Sequence, residues 1–298
     1  MPEEIKSGCA PSECGSKPAC QGCSFNHSSG NSPSHSSDPS QDADTAPRKS
    51  PPPVRRVIGV MSGKGGVGKS LVAGALAVLF RRQGLRVGIM DADITGPSVP
   101  HMFGIREKAF GDGEKIYPAV TASGIRLMSV NLLLEEDDAP VVWRGPVLAG
   151  AVKQFWEDVE WGELDVMVID MPPGTGDVPL TVYQSVPVSG VVIVSTPQDL
   201  VGMIVRKAIH MAQLMNIPVL GLVENLAYVT CPDCGKKIEV FGPSHAAETA
   251  QRLGIPLLAQ LPVNGAYADA SDKGIIEEAD LSQLEDAADC LIGMMQLS

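Results

Sequence analysis

Gly63-Lys64-Gly65-Gly66-Val67-Gly68-Lys69-Ser70 decides how this chain folds. An apolar run, Val57-Ile58-Gly59-Val60-Met61, precedes it, and a helix-compatible run from Leu71 to Phe80 follows. The spacing satisfies G-x-x-x-x-G-K-[ST] in the strand, glycine loop, helix order that a phosphate cradle requires. Glycines let the loop curl until backbone N–H groups face phosphate oxygens, and the helix N-terminus adds its partial positive charge. Gly63, Gly65, Gly66, Val67 and Gly68 would line the cradle. Lys69 would reach the β- and γ-phosphates, and Ser70 would hold Mg²⁺.

Outward from the loop, strand-like and helix-like runs alternate. Strands are expected over Arg56–Ser62, Val87–Asp91, Ile125–Val130, Val166–Met171, Gly190–Ser195, Val219–Glu224 and Pro256–Gln260. Helices are expected over Lys69–Arg82, Leu148–Phe155, Val201–Met215, His245–Leu253 and Leu281–Met295. Val166-Met167-Val168-Ile169 and Val191-Val192-Ile193-Val194 are apolar at every position, so such strands need cover on both faces. The expected fold is α/β, a doubly wound and mostly parallel sheet flanked by helices, with the ligand at the carboxyl ends of the strands. This domain spans 54–298. Residues 24–53, rich in Ser, Pro, Asp and Asn, read as a flexible linker, and 1–23 as a cysteine-bearing head.

Two more strand ends carry carboxylates: Asp91-Ala92-Asp93 after Val87–Met90, and Asp170-Met171-Pro172-Pro173-Gly174-Thr175-Gly176-Asp177 after Val166–Ile169. An Asp that ends a buried strand beside a phosphate loop holds a water on Mg²⁺, and Asp170 suits that role. Gly174 would offer its N–H to the γ-phosphate, and Asp93 would position the attacking water. Asp91 reads equally as a structural carboxylate bonded to loop amides.

Lys64 is a second lysine that an ordinary phosphate loop does not need. This two-lysine form resembles the deviant Walker A ATPases. The stretches 91–100, 170–177 and Val223-Glu224-Asn225-Leu226 narrow the resemblance to the Mrp/ApbC-type iron–sulfur carriers. The resemblance covers roughly residues 54–296. It implies ATP hydrolysis with Mg²⁺, and a homodimer in which Lys64 reaches the partner's nucleotide. Asn225 would hydrogen-bond the adenine, and the loop around Pro262 would lie near the base.

Cys231-Pro232-Asp233-Cys234-Gly235 can chelate one metal centre, but supplies half a tetrahedral site. Across a two-fold axis, two such pairs give four thiolates for one 4Fe–4S cluster or one zinc, which spacing alone does not distinguish. The family resemblance favours a bridging 4Fe–4S cluster that is passed to recipient apo iron–sulfur proteins. Cys9, Cys14, Cys20 and Cys23 could hold a second cluster, a zinc, or nothing. Their spacing departs from the four-cysteine head of some relatives. Cys290 lies in an apolar helical pattern and is expected in the core.

The formal net charge of −12 argues against nucleic acid and anionic membranes as partners, since both reward basic patches. No secretory or membrane-spanning pattern is read, so a cytoplasmic location with reduced thiols is expected. Two other readings stay open. A positioning ATPase of the partitioning and cell-division class would use a basic patch or a membrane-seeking tail, and residues 286–295 have no basic face. An ATP-coupled electron donor resembling nitrogenase iron protein would bridge its cluster with cysteines far apart in sequence.

Overall fold

The continuous apolar runs form the centre of the sheet. The computed structural model describes residues 52–93, 98–113, 115–133, 145–174, 176–198 and 203–297. Cys9, Cys14, Cys20 and Cys23, the linker as far as residue 51, and positions 94–97 and 175 lie outside the described residues. In chain order the elements are β1 (Val54–Ser62), α1 (Lys69–Arg82), β2 (Val87–Asp91), α2 (Val99–Met102), β3 (Phe110–Gly111), β4 (Ile116–Tyr117) and β5 (Ala119–Val120). Next come β6 (Arg126–Ser129), α3 (Gly145–Glu157), β7 (Leu164–Asp170), α4 (Asp177–Ser185), β8 (Gly190–Ser195) and α5 (Met203–Leu214). The chain continues with β9 (Val219–Thr230), β10 (Lys237–Ile238), α6 (Ala246–Leu253), β11 (Leu257–Pro262), α7 (Gly265–Lys273) and α8 (Glu285–Met295).

The sheet runs β10-β9-β8-β1-β7-β2-β6-β5, with β11 also on β9. Only β5 and β10 run antiparallel to their neighbours in it, so the mostly parallel, doubly wound α/β reading holds. The central strands feed both faces. Ile58 and Val60 join the layer that holds α1, α7 and α8, while Val57 and Met61 join the layer of α3, α5 and α6. Among the described residues, no helix is long and apolar enough to cross a membrane.

Register fixes the site. Val60 pairs with Asp170, and Asp170 with Asp91, so the ends of β1, β7 and β2 lie level. The glycine loop and both carboxylate loops therefore leave the sheet side by side.

Besides the short α2, β3, β4, β5 and β10, which the sequence did not indicate, the structure departs from expectation in β9, α4, α7 and Cys290. The strand expected to stop at Glu224 continues to Thr230, through a bulge against β11. Helices α4 and α7 were not legible as helices. Finally, α8 buries Ala287, Ala288, Leu291 and Met295, which places Cys290 off that stripe and exposed rather than in the core.

Candidate functional site

The glycine loop ends at Gly68, whose φ of 82° suits a residue without a Cβ. A Cβ there would also stand 2.1 Å from Asn225 Nδ2. α1 begins at Lys69, a lysine only 5% exposed. Its Nζ lies 2.5 Å from Asp170 Oδ1 and 3.3 Å from Asp93 Oδ2. Burial pushes the Asp170 carboxyl up, against the pull of Lys69 and a hydrogen bond from Ser70. Asp170 Oδ2 is buried with no hydrogen-bond partner among the described residues. A bare carboxylate oxygen beside a serine hydroxyl and a phosphate cradle fits a Mg²⁺ held through Ser70 and Asp170.

Asp91 resolves towards its structural reading. Its Oδ1 accepts the Asp93 backbone N–H at 3.1 Å and its Oδ2 accepts the Ser129 hydroxyl at 3.1 Å. Burial, then the charge of Asp170, holds its carboxyl well above the usual range. Asp93 faces the site instead. It lines a cleft of about 310 Å³ with Lys64, Gly65, Gly66, Gly68, Lys69 and Ser70.

Three expected residues sit in contacts that the sequence did not indicate. Gly174, at φ 88°, donates its N–H to Ser62 O at 2.9 Å, so in this state its amide closes the switch loop onto β1. Asn225 is 3% exposed and donates Nδ2 to Val67 O at 3.0 Å, while its Oδ1 accepts the Leu226 N–H at 2.9 Å. Pro262 ends β11 level with Tyr228, outside the lining of this cleft. Lys64 is exposed on the loop and also lines a smaller cleft of about 140 Å³ with Leu226 and Phe241.

Cys231 and Cys234 lie just beyond β9. The Cys231 N–H donates to Lys236 O and the Gly235 N–H to Cys231 O, both at 2.9 Å, closing a tight knuckle. Backbone N–H groups of Cys234 and Asp233 hold the Cys231 thiol below its usual range. Among the described residues no cluster of three or more His, Cys, Asp or Glu side chains is gathered for a metal ion. Two thiols on so tight a turn could supply two ligands to one metal centre.

Sequence reasoning missed Glu224, which is fully buried on β9 beside Asn225. Its Oε2 accepts from Ser244 Oγ and Gln260 Nε2, both at 2.6 Å. The only signal was a carboxylate interrupting an apolar strand run.

The family model described as NUBPL iron-transfer P-loop NTPase matches residues 53–293. The chain belongs to that family. The iron–sulfur cluster carrier protein of Clostridium perfringens is 50% identical over 233 residues, covering 76% of this chain and 82% of that protein. The protein of the same name from Methanocaldococcus jannaschii is 44% identical over 224 residues, covering 74% and 77%. Among solved structures, a nucleotide-binding protein from Archaeoglobus fulgidus in complex with ADP superposes with a TM-score of 0.69. It is 44% identical, and the match covers 77% of this chain and 91% of that one. Membership in an iron-transfer P-loop NTPase family agrees with the phosphate loop at the sheet's carboxyl edge, and the Cys231–Cys234 turn follows directly on β9.

Proposed function

We propose that this chain is a cytoplasmic, ATP-hydrolysing iron–sulfur cluster carrier. As a homodimer it would hold one labile 4Fe–4S cluster on Cys231 and Cys234 of both subunits and pass it to recipient apo iron–sulfur proteins. The observation that carries the reading is the Cys231–Cys234 knuckle, a two-ligand site at the end of the strand that passes beneath the phosphate loop. The names of the relatives support the same cargo.

In this reading the cradle and Lys69 bind the ATP phosphates, and Lys64 reaches the partner's nucleotide. Mg²⁺ on Ser70 and Asp170 would neutralise charge on the β- and γ-phosphates. Asp93 orients the attacking water. Gly174 exchanges its bond to Ser62 O for the γ-phosphate, so the switch loop reports nucleotide state. Asp93→Asn is expected to slow hydrolysis about 10²- to 10⁴-fold without weakening nucleotide binding. Phosphate release measured beside fluorescent-nucleotide titration checks this, and unchanged release would remove Asp93 from the chemistry. The head cysteines Cys9, Cys14, Cys20 and Cys23 are proposed as a second, separate centre on a head and linker preceding the ATPase domain.

Anaerobic reconstitution with iron and sulfide, followed by metal analysis, tests the whole reading. The bridging site predicts about four irons and four sulfides per dimer in protein lacking residues 1–23. Stoichiometric zinc without sulfide would make the knuckle structural and end the carrier reading.

A further inference from the structure

Between Thr230 and Ser244 the chain leaves the sheet, carries Cys231 and Cys234, adds β10 and returns to α6. Both ends of this excursion connect to one dipeptide, Glu224-Asn225, the near end along β9 and the far end through Ser244. At its start, β9 runs from Asn225 through a bulge to Thr230, the residue before Cys231, and Asn225 Nδ2 holds Val67 O of the phosphate loop at 3.0 Å. At its close, Ser244 Oγ donates to Glu224 Oε2 at 2.6 Å, and Gln260 Nε2 of β11 donates to the same oxygen at 2.6 Å. Adjacent side chains of one strand therefore grip the phosphate loop and the far end of the cysteine segment.

We propose that Glu224 is a positioning residue: with Asn225 it forms a joint that conveys movement of the phosphate loop to the Cys231–Cys234 knuckle. Three features suit a joint. Gln260 pairs with Glu224 and Pro262 with Tyr228, so β9 spends four residues where β11 spends two. Within that bulge Leu226 adopts φ 57°, a conformation that a branched side chain holds only under constraint. Among the described residues Glu224 Oε1 is buried without a partner, while Oε2 takes two donors. A carboxylate so loaded can pass a donor from one oxygen to the other as its neighbours shift. Phe241, from the same excursion, lines the smaller cleft with Gly65, Gly66 and Val67, giving a second and competing route. The proposal rests on the carrier reading only for the metal it assigns to the knuckle.

The test uses the full-length apo protein and needs no cluster. Cys231 alkylation by iodoacetamide is followed by peptide-resolved mass spectrometry with Mg-ATP, with Mg-ADP and without nucleotide. Mg-ATP is expected to change the wild-type rate at least about threefold, because thiol reactivity follows local environment. Ser244→Ala should bring the ratio to about one, with nucleotide affinity and dimer mass unchanged, as a lost joint requires. Ser244→Thr, which keeps the hydroxyl, should restore it. A wild-type ratio in Ser244→Ala overturns the proposal. So does a wild type indifferent to nucleotide, or a response lost in Phe241→Ala but kept in Ser244→Ala. Iron and sulfide analysis of the same preparations separates the two ideas. Nucleotide-responsive thiols without cluster loading would sink the carrier reading and leave the joint standing.

Discussion

Replacing Lys69 by alanine is expected to damage both nucleotide binding and the fold. Its ammonium is the cation set among the buried carboxylates of Asp170 and Asp93, at 2.5 and 3.3 Å. Removing one partner of a buried pair leaves an uncompensated charge, at a cost of about 3–5 kcal/mol. For a domain of this size that lowers the melting temperature by roughly 10 °C. The same change removes a charged contact to phosphate, and Mg-ATP affinity should fall about a hundredfold or more.

The pH dependence has a defined sign. Asp91 and Asp170 already have raised carboxyl pKa values, chiefly through burial, and loss of Lys69 raises both further. Stability tied to a raised pKa is complete below the unfolded value and is lost as pH climbs through the folded one. The Lys69→Ala deficit should therefore be small near the ordinary carboxylate range and grow towards neutral and alkaline pH. Thermal melts across that range check it. A deficit that grows on acidification would show that Lys69 does not neutralise the pair. Lys64→Ala is the comparison: its side chain is exposed, and its stability should move by no more than about 0.5 kcal/mol.

The second large effect is expected at Cys231. In a two-fold dimer one substitution removes two of four thiolates, so Cys231→Ala should lose essentially all reconstituted iron at the bridging site rather than half. Its backbone bonds to Lys236 and Gly235 survive the change, so folding and nucleotide affinity should hold. A mixed dimer with one altered subunit keeps three ligands and should load weakly. Cys290→Ala, distant in the chain and off the buried stripe of α8, should load like wild type. Full iron in Cys231→Ala would exclude the knuckle as the cluster site.

The phosphate loop and its carboxylates were legible because short-range spacing dictates their chemistry. Gly68, Lys69 and Asp170 lie together at the sheet's carboxyl edge. Helix α4 was hidden by its composition: Val178, Pro179, Thr181 and Val182 suggest strand or turn, yet Pro179 falls in the first turn, where no N–H is needed. Helix α7 offers little apolar stripe, burying only Tyr267 and Ala270, though Asn264 caps its start and Gly274 its end. Those caps were readable signals. Glu224 was not, because its partners Ser244 and Gln260 lie 20 and 36 positions away. Asn225 and Gly174 illustrate a different boundary. Family resemblance pointed to Asn225 and the loop after Asp170 to Gly174, but the backbone group each binds, Val67 O and Ser62 O, is set by packing between distant segments.

The central position of β1 has a consequence for synthesis. Its neighbours are β7 and β8, and the Lys69–Asp170 contact joins groups 101 positions apart. On the ribosome the phosphate loop emerges early, yet the strands that hold it in register follow a hundred residues later, and such distant pairings form slowly. Until then Lys69 lacks Asp170, the nearer of its two carboxylates, and β1 has two unpaired edges. The loop is among the first parts of the domain to be made and among the last to take shape. Nucleotide can therefore grip only a nearly finished chain, and its binding energy favours the completed fold over every earlier stage.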